Sequence, residues 1–203
     1  MIQINIPYSK SISNRLLIMH FLSKSKKTLT HLSQSDDTLL LQSILKQITN
    51  QETTIFNTHN AGTTTRFLIA LLSTIKGNWQ INADERMNHR PILPLLEALK
   101  ELGAEIKTES KTKTFPLTIK GKDLQGGKTI EISSTQSSQI LSAIAMIAPC
   151  CKGGLKIKYP ENQTSLAYLE MTLSMMKRYG IEVETKQHII DIKQGNYKIE
   201  EET

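Results

Sequence analysis

Lys10, Ser11, Ser13 and Arg15 crowd into the stretch "YSKSISNR" (8–15), directly before the almost wholly apolar "LLIMHFL". Hydrogen-bond donors that lead into a segment bound for burial suit one chemistry above others. The first turn of a helix presents unpaired backbone N–H groups and the positive end of the helix dipole, so anions bind there. A lysine and an arginine add charge, and serine hydroxyls add directional donors without bulk. The arrangement recurs twice. "NAGTTTR" (60–66) precedes "FLIALL" and supplies Asn60 and Gly62, the glycine allowing close backbone approach to a ligand. "SSTQSSQ" (133–139) precedes "ILSAIAMIA" and supplies Ser137, Ser138 and Gln139. Arg90 and Ser165 are read as standing at the starts of two further helices. Several donor-rich helix starts imply a ligand with more than one anionic group.

Each of these residues also has a plain structural use. A lone serine before a helix is most simply an N-cap. Asp36 and Asp37, after Ser35, fit dipole-complementing caps better than catalytic acids. Arg66 runs straight into an apolar helix and is assigned to an internal pair with a carboxylate. Tyr168, in a helix read over 165–179, fits core packing, His89 fits the surface, and "KSKK" (24–27) fits a solvated turn. No Ser/His/Asp or Cys/His set stands out, and no carboxylate pair is placed for acid–base work.

The elements that must position these loops form an internal repeat. Each copy reads as a donor loop with a very apolar helix, a short strand, and an amphipathic helix. The strands are read at "KKTLTHLS", "KGNWQINAD" and "KGGLKIKYP". The second helices are read at "SDDTLLLQSILKQI", "NHRPILPLLEALKEL" and "NQTSLAYLEMTLSMMKRY". In copies two and three that helix stops at Gly103 or Gly180, a left-handed cap, and enters the strand "GAEI" or "GIEV". "KTESKTKT" (107–114) is read as a solvated hairpin or loop. Helices apolar nearly all round belong at the centre, and helices with one apolar stripe belong outside them. The expected fold is a single α/β domain over 1–203, of three similar units (about 3–55, 56–128 and 129–203) around buried central helices. No G-x-G-x-x-G follows a strand, which argues against a doubly wound nucleotide-binding sheet.

A formal net charge of +6 favours anionic partners without separating nucleic acids from phosphorylated metabolites. No apolar run approaches the roughly 18 residues of a membrane span, and "MIQINIPYSK" lacks the pattern of a signal peptide. Adjacent Cys150 and Cys151 read as two reduced thiols, which fits the cytoplasm. The five histidines show no metal-ligand spacing, so no metal is expected, and no cofactor either.

Taken in order, "SKSISNR", "SDDT", "NAGTTTR", "RMNHRP", "LEALKELGAEI", "SSQILSAIAMIAP" and "SLAYLEMTLSMMKRYG" resemble 5-enolpyruvylshikimate-3-phosphate synthase, over about residues 3 to 190. The resemblance implies two similar domains, each of three βαβαββ units, with the active site between them. It implies a shikimate-pathway transferase that joins phosphoenolpyruvate to the 5-hydroxyl of shikimate 3-phosphate and expels phosphate from a tetrahedral intermediate. By resemblance Lys10 touches both substrates and is the catalytic candidate. Ser11, Arg15, Ser137, Ser138, Gln139 and Ser165 match contacts to shikimate 3-phosphate. Gly62 and Arg90 match contacts to phosphoenolpyruvate, Gln139 lies near both ligands, and Asn60 and Tyr168 fall in matching motifs. The implied partners are small anions and a complementary second domain, with no nucleic acid and no membrane.

Two features depart from the family. Tyr8 stands where the family usually has glycine. The chain also has about half the family's length, so it is expected to be the N-terminal half alone, binding shikimate 3-phosphate without turnover. Two alternatives stand beside this reading. One is a basic nucleic-acid-binding module of the RNA 3′-phosphate cyclase kind, against which the scarcity of aromatic stacking platforms counts. The other, more distant, is a piece of the enolpyruvyl transferase that acts on UDP-N-acetylglucosamine.

Overall fold

The computed structural model describes residues 6–50, 54–108, 114–132 and 138–198. The chain runs α1 (Lys10–Ser23), α2 (Asp36–Asn50), β1 (Ile55–Asn57), α3 (Gly62–Thr74), β2 (Gly77–Asn82), α4 (Glu85–Asn88) and α5 (Leu93–Glu101). It continues through β3 (Glu105–Thr108), β4 (Leu117–Gly121), β5 (Thr129–Glu131), α6 (Ser138–Ile147), β6 (Leu155–Lys158), α7 (Leu166–Arg178), β7 (Val183–Lys186) and β8 (Ile189–Ile192). Among the described residues no helix is long and apolar enough to cross a membrane.

Helices α1, α3 and α6 pack on one another at the centre. Phe67, Leu68, Ile69, Leu71 and Leu72 of α3 are fully buried, as are Ile140, Leu141, Ile144 and Met146 of α6. Each such side chain contributes about 1.5–3 kcal/mol by leaving water. That burial is possible on all sides only for a helix surrounded by protein. The outer helices bury one stripe each: Leu95, Leu96 and Leu99 of α5 face inward while Glu97 and Lys100 are exposed. Gly103 and Gly180 cap α5 and α7 with φ of +95 and +80, the left-handed conformation read from the sequence.

Two four-stranded sheets have the same topology, β1-β2-β4-β3 and β5-β6-β8-β7. In each the first pair is parallel and the others antiparallel. The parallel pairs are joined by crossovers through α3 and α6. A parallel connection needs such a helix, so the donor stretch at 60–66 lies where the first crossover enters α3, and Ser138 opens the helix of the second.

The first unit departs from the sequence reading. No strand forms at 26–33, where the described backbone is irregular. The connections explain why. Helices α5 and α7 are each followed by an antiparallel pair, β3 with β4 and β7 with β8, which completes a sheet. Helix α2 ends at Asn50 and β1 starts at Ile55, which leaves no room for a pair. Without a ladder, the backbone there uses side chains instead: the Ser33 N–H donates to Ser13 Oγ at 2.9 Å, and Leu32 is buried. The far end of α1 is correspondingly less covered. Counting from Arg15 in α1 and Arg66 in α3, His20 and Phe21 occupy the register of Leu71 and Leu72, yet they are only half-buried. A cavity of about 1180 Å³ opens beside them, at the opposite helix ends from the donor loops.

Two further readings change. "NHRPILPLLEALKEL" is not one helix, because α4 stops at Asn88 and α5 starts at Leu93 with Pro94 in its first turn. Pro91 offers no N–H and disfavours helix in the residue before it, so Arg90 sits in a connection and not at a helix start. Of the stretch 107–114, Lys107 and Thr108 belong to β3, and residues 109–113 lie outside the described residues.

Candidate anion-binding site

Ser9 caps α1, its Oγ accepting the Ile12 N–H at 3.4 Å. Lys10 follows, and its half-exposed ammonium lies 3.4 Å from Asp37 in the first turn of α2. The Asp37 carbonyl accepts Thr64 Oγ1 of α3 at 2.9 Å, so the starts of three helices are tied together. Asp37 is therefore a counter-ion for Lys10 as well as a first-turn acid on the helix dipole. Tyr8 avoids the left-handed region, and its exposed ring lies 5.3 Å from that of His31. The backbone at this position makes no demand that only glycine meets.

Arg15 is 2% exposed. Its Nε–H donates to Thr172 Oγ1 at 2.6 Å, and Nη2 donates to Ser142 Oγ at 3.1 Å and to the Tyr168 carbonyl at 3.3 Å. Nη1 donates to the Ser11 carbonyl at 2.8 Å. The guanidinium also lies 5.4 Å from the Phe67 ring centroid and 6.0 Å from that of Tyr168. Four of its five N–H groups are thus used, three tying α1 to α6 and α7 and one closing back on α1, and one on Nη1 is left over. The Tyr168 ring is 46% exposed beside it, which corrects the core-packing assignment. Ser142 and Thr172 escaped the sequence reading. Their signal was legible, since each is a hydroxyl residue set in an apolar helix face.

Arg66 is the second buried guanidinium. Its Nη1 donates to the Gly62 carbonyl at 3.0 Å and to Gln139 Oε1 at 2.9 Å. Its Nε and Nη2 donate to the Pro91 carbonyl at 3.2 and 2.8 Å. The expected carboxylate partner is replaced by carbonyl oxygens from three segments. Arg90 is exposed and makes one contact with the Asn60 carbonyl, 3.3 Å from Nη1. Asn60 donates Nδ2 to Asp84 at 2.9 Å, and His59 lies 3.5 Å from the same carboxylate. Ser138 opens α6 and is buried, with Gln139 half-buried behind it; Ser137 lies outside the described residues. Ser165 caps α7 with a left-handed backbone, φ 58, and its exposed hydroxyl makes no cap bond.

Burial pushes the Arg15 guanidinium down to about 10, an effect that proximity to Tyr168 partly opposes. Burial, followed by repulsion from Arg90, does the same to Arg66. Both stay charged at neutral pH, and neither pairs with a carboxylate among the described residues. Two buried positive charges without counter-ions are expensive unless an anion joins them. Among the described residues no group of three or more His, Cys, Asp or Glu could hold a metal ion.

Donor-bearing helix starts, two buried guanidiniums and exposed Lys10 and Arg90 define a basic α/β domain with a donor-rich, cationic face. The class narrows on comparison with known proteins. The family model of EPSP synthase (3-phosphoshikimate 1-carboxyvinyltransferase) matches residues 2–202, and the chain belongs to that family. The 3-phosphoshikimate 1-carboxyvinyltransferase of Bacteroides fragilis strain YCH46 is 42% identical over 177 residues, covering 87% of this chain and 42% of that protein. Its counterpart from Shewanella piezotolerans is 36% identical over 215 residues, covering 95% of this chain and 50% of that one. The solved EPSP synthase of Acinetobacter baumannii shares the fold, with a TM-score of 0.80 at 20% identity over 97% of this chain and 47% of that one. The chain spans about half the length of the relatives it matches.

Proposed function

We propose that this chain is the shikimate 3-phosphate-binding half of an enolpyruvyl transferase, one domain over 1–203 that binds without turning over alone. The observation that carries this is the pair of buried guanidiniums of Arg15 and Arg66, with no carboxylate partner among the described residues and with Lys10 and Arg90 exposed beside them. Shikimate 3-phosphate takes Lys10, Ser11, the remaining Arg15 donor, Ser137, Ser138, Gln139 and Ser165. Phosphoenolpyruvate takes Lys10, Gly62, Arg90 and Gln139, with Asn60 holding Arg90 and Tyr168 flanking Arg15. Two polyanions repel each other. The cations neutralise that repulsion and hold the 5-hydroxyl against the enolpyruvyl carbon, which removes much of the entropic barrier. The Lys10 ammonium then opposes negative charge developing on the departing phosphate. The remaining acid–base groups come from the complementary domain, which is why the half is silent.

Calorimetry on the purified chain tests the reading. Shikimate 3-phosphate should bind, and phosphoenolpyruvate added to it should give no product. Lys10→Ala should weaken binding about tenfold or more, as loss of a charge-assisted bond does, while Lys26→Ala at the far cavity leaves it unchanged. Absence of binding would sink the site, and steady turnover by the chain alone would sink its silence.

Gly62→Ala separates the two ligands. A Cβ there would lie 2.5 Å from Arg90 Nη1 and 3.0 Å from Arg66 Nη1. The Arg90 guanidinium is the free end of a flexible side chain, so it moves and the fold survives. With the complementary half added, phosphoenolpyruvate affinity should fall while shikimate 3-phosphate affinity holds. An equal loss of both, measured by titration, would contradict this placement of Arg90.

A further inference from the structure

We infer that Arg66 is a positioning residue that makes Gln139 a donor toward the ligand and holds the Arg90 connection in register with it. This rests on the proposed anion site. Arg66 is 4% exposed, so it acts through the groups it holds. A guanidinium is a rigid planar fork with five donors and no acceptor. Whatever faces it must accept, so the Gln139 carboxamide turns Oε1 inward, 2.9 Å from Nη1. The Nε2 hydrogens then point the other way, and no described residue accepts them. A carboxamide free to rotate would offer an anion its oxygen half of the time. Held by Arg66 it offers only N–H.

The same fork grips the Pro91 carbonyl twice, at 3.2 and 2.8 Å. Pro91 follows Arg90, and proline restricts the backbone on both sides of that peptide. The grip on the Gly62 carbonyl at 3.0 Å adds the first turn of α3. One side chain thus sets the mutual placement of Gly62, Arg90 and Gln139, which sit on three separate segments. Lysine keeps the charge at this position but cannot hold three acceptors in one plane.

The test is a double-mutant cycle with Arg66→Lys and Gln139→Ala, read by shikimate 3-phosphate calorimetry and by nuclear magnetic resonance of the Gln139 Nε2 hydrogens. Arg66→Lys should weaken binding about tenfold when Gln139 is present. It should cost less than about twofold in the Gln139→Ala background, because the two act as one unit. Equal losses in both backgrounds would overturn the inference, since a purely structural role is additive. If the wild-type chain binds nothing, the functional reading fails, and the resonance arm decides the positioning by itself. Ordered Gln139 Nε2 signals in wild type that become motionally averaged in Arg66→Lys support it, and signals unchanged by the substitution overturn it. Should Arg66→Lys not fold, a freely rotating Gln139 carboxamide in the unliganded wild type overturns it.

Discussion

Arg15→Ala is expected to lower the stability of the chain by about 3–5 kcal/mol, or about 10 °C in Tm. Opposing effects have to be weighed to reach that figure. Removing the charge recovers a desolvation cost of roughly 3 kcal/mol, judged from a pKa brought down to about 10. Against this, the four hydrogen bonds to Thr172, Ser142 and the Ser11 and Tyr168 carbonyls are lost, at about 0.5–1.5 kcal/mol net each. The void left by a large buried side chain costs about 2–5 kcal/mol more. The losses win. Arg15→Met separates the contributions, since it fills the volume without the charge or the donors. Urea unfolding should place it between wild type and Arg15→Ala. Shikimate 3-phosphate should raise the Tm of wild type and leave that of Arg15→Met nearly unmoved. Equal stability of Arg15→Ala and wild type would show that the network linking α1 to α6 and α7 carries no weight.

Gly121→Ala is expected to be worse, costing more than about 4 kcal/mol and leaving little folded protein at 37 °C. Gly121 ends β4 opposite Gly77 of β2. A Cβ there would stand 1.9 Å from the Ile75 carbonyl oxygen and 2.3 Å from that of Leu72, at the C-terminal end of α3. Those atoms belong to backbone that is itself held. The Leu72 carbonyl accepts the Ile75 N–H at 3.3 Å, and the Ile75 carbonyl accepts Trp79 Nε1 at 2.9 Å. Relief therefore requires the sheet to lift off the central helix. Gly103→Ala is the control, because a Cβ meets nothing within 4 Å there and pays only for a left-handed φ of +95. That change should cost about 1 kcal/mol. The comparison is made on urea midpoints, and a Gly121→Ala protein no weaker than Gly103→Ala would refute the packing argument.

Much of the architecture was legible along the chain. The all-round apolar character of 67–72 and 140–147 marked central helices, and the striped 95–102 marked an outer one. Both are properties of single helices, so no knowledge of neighbours was needed. Gly103 and Gly180 as caps are equally local, being set by the φ that a helix end requires. The donor loops were visible because helix-end chemistry is local too. The strand read at 26–33 failed for the converse reason. Its residues are suitable, but a strand exists only with a ladder, and the pair that would supply one has no room between Asn50 and Ile55.

The site divides along the same line. That Lys10, Ser11, Gly62, Arg90, Ser138, Gln139 and Ser165 supply donors at or near helix starts follows from sequence, because donor type and helix position are written residue by residue. What each arginine holds was decided in three dimensions. Arg15 reaches Thr172 across 157 residues, and Arg66 reaches Gln139 across 73. Such partners are chosen by how α1, α3, α6 and α7 pack, and packing depends on the summed fit of many buried surfaces. The sequence by itself determined a basic α/β domain with anion-seeking helix starts. Only the tertiary structure decided that two of its cations are buried braces without a counter-ion among the described residues, because burial and pairing are properties of neighbours the chain brings together from afar.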